Sequence, residues 1–165
     1  MRTALPRRGL LAVLAAAGAL AGCGFQLRRA PDLAVTRIHL SGFAGRSTMA
    51  AELQRQAGSA IAWVPAPEQS QVVVHAFTDR RERVVVAIAS AGQVRELQLR
   101  VRLVYELRSP AGAEVLPRTE LLQRRDMSFS ETDALAKEQE EQELYRAMEA
   151  DIAAQLLRRL AAVRP

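Results

Sequence analysis

The chain has one cysteine, Cys23, two histidines, His39 and His75, and one lysine, Lys137, against 22 arginines. These few positions bound the chemistry available. A lone thiol has no intramolecular disulfide partner, and two histidines without a second cysteine fall short of the four ligands of a structural zinc site. Both histidines lie in β-branched runs among apolar neighbours, where packed imidazoles are expected rather than a base beside a nucleophile. The motifs G-x-S-x-G, H-E-x-x-H and G-x-x-x-x-G-K-[ST] do not occur. Glu138, Glu140, Glu141 and Glu143 share one helical stretch without a second converging set, so they make a poor di-metal site. The expectation is binding without catalysis, and no metal or cofactor.

Cys23 closes the stretch Leu20-Ala21-Gly22-Cys23, which resembles the lipobox of bacterial lipoproteins. Arg2, Arg7 and Arg8 precede an uninterrupted apolar run from Gly9 to Ala21, the n- and h-regions of a secretory signal. That run is shorter than the roughly 20 residues of a membrane-spanning helix. An uncleaved N-terminal anchor is the competing reading. The resemblance implies that residues 1–22 are removed and that Cys23 carries a diacylglycerol and an N-acyl chain such as palmitate. Two chains already anchor a protein stably, so the mature chain is expected to be tethered to a membrane rather than inserted in it. Gly24 stands where an Asp would resemble an inner-membrane retention signal, which favours the inner leaflet of the outer membrane, facing the periplasm.

Removing the signal takes three arginines with it, so the formal charge falls from +5 to +2. Nucleic acid is therefore not an expected partner. The charge is unevenly placed. From Cys23 to Ser130 there are 15 basic and 10 acidic residues, whereas Glu131 to Asp151 has eight acidic against Lys137 and Arg146.

Residues 23–33 read as a spacer and residues 34–165 as a single domain of a size able to bury its own core. Val35 to Phe43 alternates as a first strand. Ser47 or Thr48 can cap a helix over Met49–Gln56, with Glu52 in its first turn and Gly58 beyond its end. Ile61 to Val64 is a short apolar run stopped by Pro65 and Pro67. Val72 to Ala89 reads as one long strand with a charged bulge at Asp79 to Arg83, two strands joined by a turn being the alternative, and Arg80, Arg81 and Arg83 are expected in a solvated loop or bulge. Leu97, Leu99, Val101, Leu103, Tyr105 and Leu107 then alternate with mostly polar partners, a period of two with one apolar face. Glu114 to Phe129 completes an antiparallel meander. Ser130 and Asp133 fit a capping box for a helix running to about Leu160. Its apolar stripe is Tyr145, Met148, Ile152, Leu156 and Leu160, and its first half is polar all round. The fold class expected is α+β, two helices on one face of a small, about four-stranded, mixed but largely antiparallel sheet.

Several stretches in this order resemble the LPS-assembly lipoprotein family, LptE: Cys23-Gly24-Phe25-Gln26-Leu27-Arg28, Arg95-Glu96-Leu97-Gln98-Leu99, Arg124-Arg125-Asp126-Met127-Ser128-Phe129, Ala134-Leu135-Ala136-Lys137-Glu138, and Gln155 to Leu160. The resemblance implies a lipoprotein lodged in the lumen of a large outer-membrane β-barrel, LptD, that helps place lipopolysaccharide in the outer leaflet. It also implies a lipid-contacting lysine at Lys137. A second basic position falls where this chain has Ser90-Ala91, so Arg95 just beyond is the expected substitute. Arg100 and Arg102 are further candidates on the polar face of their strand. Against these stand plainer readings: Lys137 paired with Glu141, Arg100 and Arg102 facing solvent or a partner, and Trp63 as a core edge or interface anchor. A docking subunit of another envelope transport complex, without lipid binding, is the alternative function.

Overall fold

The computed structural model describes residues 34–90 and 92–164. The signal segment, Cys23 and the spacer lie outside them. The elements are β1 (Arg37–Ser41), α1 (Thr48–Ala57), β2 (Ala62–Trp63), β3 (Val72–Ile88), β4 (Val94–Arg108), β5 (Glu114–Ser128) and α2 (Ala134–Ala162). They form one mixed sheet in the order β2-β1-β3-β4-β5. β1 runs parallel to both β2 and β3, and β3, β4 and β5 form an antiparallel meander.

The fifth strand beyond the expected four is the short apolar run before the prolines. Ala62 N donates to Thr36 O and Val64 N to Ile38 O, which makes two residues an edge strand before Pro65 ends it. α1 begins where expected: Ser47 Oγ accepts from Ala50 N at 2.9 Å, and Gly58 at φ 52° ends the helix. Glu52 lies past the first turn, where its carboxylate takes a fork from Arg55 instead of facing the helix start. The capping box at Ser130 does not form. Ser130 Oγ bonds Thr132 Oγ1, a single tight turn covers Glu131–Asp133, and α2 starts at Ala134 without a side-chain cap.

Long β3 is continuous through its charged stretch, and Arg80, Arg81 and Arg83 are strand residues rather than a solvated interruption. The bulge lies earlier, at Phe77, between the pairs Ala76↔Tyr105 and Thr78↔Val104. An extra residue reverses which side chains face inward. Before the bulge Val72, Val74 and Ala76 share the face of Leu107 and Tyr105; after it Asp79, Arg81, Arg83 and Val85 share the face of Leu103, Val101, Leu99 and Leu97.

That face carries the core. Leu97 to Leu107 at every second position are at most 1% exposed, as the alternation demands. Met49 and Leu53 of α1 and Tyr145, Met148, Ile152, Leu156 and Leu160 of α2 join them in one cluster. Both helices therefore cover the same face. The other face carries Gln98, Arg100, Arg102, Val104, Glu106 and Arg108 of β4 without a helix over it.

Candidate functional site

β5 ends beneath the start of α2, and two of the four basic residues expected to meet an anion, Lys137 and Arg95, lie at that junction. Phe129 N donates to Arg95 O at 2.8 Å, which holds the chain leaving β5 against β4. The Phe129 ring lies under the Arg83 guanidinium, 5.4 Å from its centroid, a cation–π contact. Phe129 also lines two grooves, one with Arg95, Ser130 and Thr132, the other with Arg83, Ala134 and Glu138.

Lys137 reaches from the first turn of α2 across to the end of β5. Its Nζ donates to Ser128 Oγ at 3.0 Å and to Glu140 Oε2 at 2.8 Å, and its side chain is only 20% exposed. The partner is thus Glu140 at i+3 and not Glu141. Glu141 is drawn off by Arg83, at 3.5 Å. An ammonium has three donors, so two are spent on fixing its position and one is left for an anion. Arg95 is exposed and has no ion-pair partner among the described residues. Lys137 thus bonds the Ser128 side chain, while the next residue, Phe129, is held by the Arg95 backbone carbonyl. Arg100 and Arg102 do not join them. They lie on the helix-free face, Arg100 donating to Gln98 and Arg102 forked onto Glu120 at 2.9 Å.

A model of the LptE lipopolysaccharide-assembly family matches residues 35–160. The chain belongs to this family. The match takes in Arg95, Arg100, Arg102 and Lys137 and stops short of Cys23. The solution structure of lipoprotein B from Nitrosomonas europaea is similar at 27% identity and TM-score 0.69, covering 84% of this chain and 91% of that one. Rare lipoprotein B from Shewanella oneidensis, at 22% identity and TM-score 0.61 over 77% and 95%, has the same fold. So does a minor lipoprotein from Acinetobacter baumannii, at 17% and 0.61 over 79% and 97%. No curated protein matches the chain. No helix among the described residues is long and apolar enough to cross a membrane.

Within this LptE fold, one polar cluster escaped sequence reasoning. Glu149 stands on the buried face of α2, 3% exposed. Its carboxylate accepts from Arg81 Nε and Nη2, both at 2.7 Å, and from Thr48 Oγ1 at 2.7 Å. Beside it Ser47 Oγ donates to Asp79 Oδ2 at 2.5 Å while capping α1. The start of α1, the middle of β3 and the middle of α2 are thereby tied through two carboxylates and one guanidinium. Burial pushes the Asp79 carboxyl above its ordinary range, against the Ser47 bond and with help from the Glu149 charge. The Glu149 bonds hold the Arg81 guanidinium more firmly charged. The Arg81 guanidinium also lies 5.1 Å from the Tyr145 ring centroid, and Tyr145 Oη donates to the Glu82 carbonyl at 2.8 Å.

The histidines are used structurally. His39 Nδ1 is 2.9 Å from Val64 O, across to the edge strand, and His75 Nδ1 is 3.1 Å from Ser41 Oγ. Among the described residues no group of three or more His, Cys, Asp or Glu could hold a metal ion. Trp63 packs against the core from the edge.

Proposed function

We propose that this protein is an outer-membrane lipoprotein, held by a diacylglycerol and an N-acyl chain on Cys23, that plugs an LptD-type β-barrel and assists lipopolysaccharide assembly at the outer leaflet. Residues 1–22 act as the cleaved signal and residues 23–33 as the tether, with the domain facing the periplasm and lodged in its partner. Lipopolysaccharide phosphates are met by Lys137 and Arg95. The observation that carries this reading is the Lys137 ammonium, positioned by Ser128 and Glu140 with one donor free, at the residue preceding Phe129, which lines a groove with exposed Arg95. No step of catalysis enters. The protein offers preplaced donors to an anionic lipid, and family membership supports the choice of lipid.

The test is lipopolysaccharide binding by the purified mature protein and its Lys137→Glu variant. Loss of one charge-assisted contact, about 1.5–3 kcal/mol, weakens binding about tenfold or more. Unchanged binding removes Lys137 from the role. Purification of the tagged protein from mild-detergent extracts should recover the barrel at near-equal amounts; full function with no measurable lipid binding would instead favour a pure docking subunit.

A further inference from the structure

The helix-free face of β3, β4 and β5 is arranged at an electrostatic cost. Arg80 stands directly opposite Arg102, and on the next rung Arg100 stands directly opposite Arg124. Like charges in register across strands are destabilising. Arg102 is relieved by Glu120, and Arg100 has Glu82 opposite it on β3 and donates to Gln98, whereas Arg80 and Arg124 have no ion-pair partner among the described residues. Further along the same face Arg118 lies 4.1 Å over the ring of Phe77, which is 40% exposed and meets His75 edge-on. Val73 and Val104 are 7% exposed here although no helix covers them, so the surface is close-packed beneath its arginines.

Guanidinium forks take carboxylates or phosphates equally well. The other charges on the face decide between the two. Glu82, Glu106, Glu120 and Asp126 are interleaved with the arginines, and a layer of phosphates would press like charge onto all four. A protein wall can offer carboxylates to the arginines and donors to the acids in the same lattice. The side chains also match protein interfaces, which are enriched in arginine and aromatic residues and depleted in lysine; the chain has 22 arginines and a single lysine. β4 and β5 have 15 residues each, about 50 Å at 3.3 Å per residue. That is the span of a strand wall rather than of one headgroup.

We infer that the helix-free face of β3–β5 is a docking surface for a flat protein wall whose carboxylates oppose Arg80, Arg100 and Arg124. This surface is separate from the Lys137 junction and does not rest on lipid binding there. Where the proposed function holds, the barrel supplies the wall.

The experiment places a photo-crosslinking benzoylphenylalanine at Leu122, next to Arg102 on this face, in the full-length protein expressed in its own cells, with Gln139 of α2 as the control position. Ultraviolet light should give a protein adduct at Leu122 whose linked peptide contains Asp or Glu. Its yield should fall at least tenfold when Arg80→Glu and Arg124→Glu are combined, and severalfold with the neutral pair Arg80→Gln and Arg124→Gln should the reversed pair fail to accumulate. Lipopolysaccharide binding by the same variants should not change. A lipopolysaccharide adduct, no protein adduct, or a protein adduct indifferent to these substitutions overturns the inference. A charge-dependent adduct with a protein other than a barrel leaves the inference standing and removes the barrel from the proposed function.

Discussion

Replacing Glu149 by Ala tests whether the polar cluster under α2 holds the fold together. The carboxylate is 3% exposed and accepts three hydrogen bonds, two from Arg81 and one from Thr48. Each bond to a charged group contributes about 1.5–3 kcal/mol. Part of that returns on substitution, because the Arg81 side chain is 28% exposed and its head can rehydrate. Breaking a buried pair costs roughly 3–5 kcal/mol, so the low end, about 3 kcal/mol, is expected here. In a domain of this size that lowers the melting temperature by roughly 10 °C. Combining Glu149→Leu with Arg81→Met removes both charges and should return stability to within about 1 kcal/mol of the parent, since an apolar pair of similar volume often replaces an ion pair without loss. Urea unfolding of the mature protein, followed by circular dichroism for the parent, both single variants and the pair, gives the coupling directly. A cost below about 1 kcal/mol for Glu149→Ala, or a double variant no better than the sum of its singles, would refute the reasoning.

Asp79, with its titration raised by burial, loses stability for the fold as pH rises through its folded value; Asp79→Asn should therefore be the more stable protein at pH 7, with the difference vanishing in acid. Glu52 runs the other way: its carboxyl is held down by the Arg55 fork, and its contribution is lost as pH falls. Gly42 has φ 78°, and a Cβ there would lie 2.1 Å from the Ala76 carbonyl oxygen, so Gly42→Ala should cost more than about 2 kcal/mol in urea unfolding. Arg124→Glu places opposite charges across from Arg100 and should gain about 0.2–1 kcal/mol in the isolated protein. Cys23→Ala should move the protein from membrane to soluble fractions on cell fractionation, and continued sedimentation with membranes would argue against the lipid anchor.

Period-two alternation from Leu97 to Leu107 was legible because a half-buried strand has no other way to place its apolar residues, and the stripe from Tyr145 to Leu160 was legible for the corresponding helical reason. The bulge at Phe77 was not. One extra residue exchanges the two faces of β3, so Arg81 and Arg83, which read as solvated, turn inward to Glu149 and Glu141. Glu149 carried a faint signal, a carboxylate four residues after Tyr145 and next to Met148 in an otherwise apolar stripe. Its partner could be named only once the register of β3 was known. The opposed arginines of the open face depend on that register too, and the two residues of β2 are too few for any pattern. At the junction site, Lys137 could be singled out by its residue type, while its anchoring by Ser128 required knowing that β5 ends beneath α2.

α2 follows the meander in the sequence, and it supplies Tyr145, Met148, Ile152, Leu156 and Leu160 to the core. A protein exported from its N-terminus delivers the meander to the far side of the membrane first. Until Ala134–Ala162 has followed, the apolar face of β4 has no lid of its own and is open to chaperones, to aggregation or to proteases. Under the export proposed above, folding of the sheet waits on α2. A chain cut after Ser130 should be degraded rather than accumulate as a stable sheet.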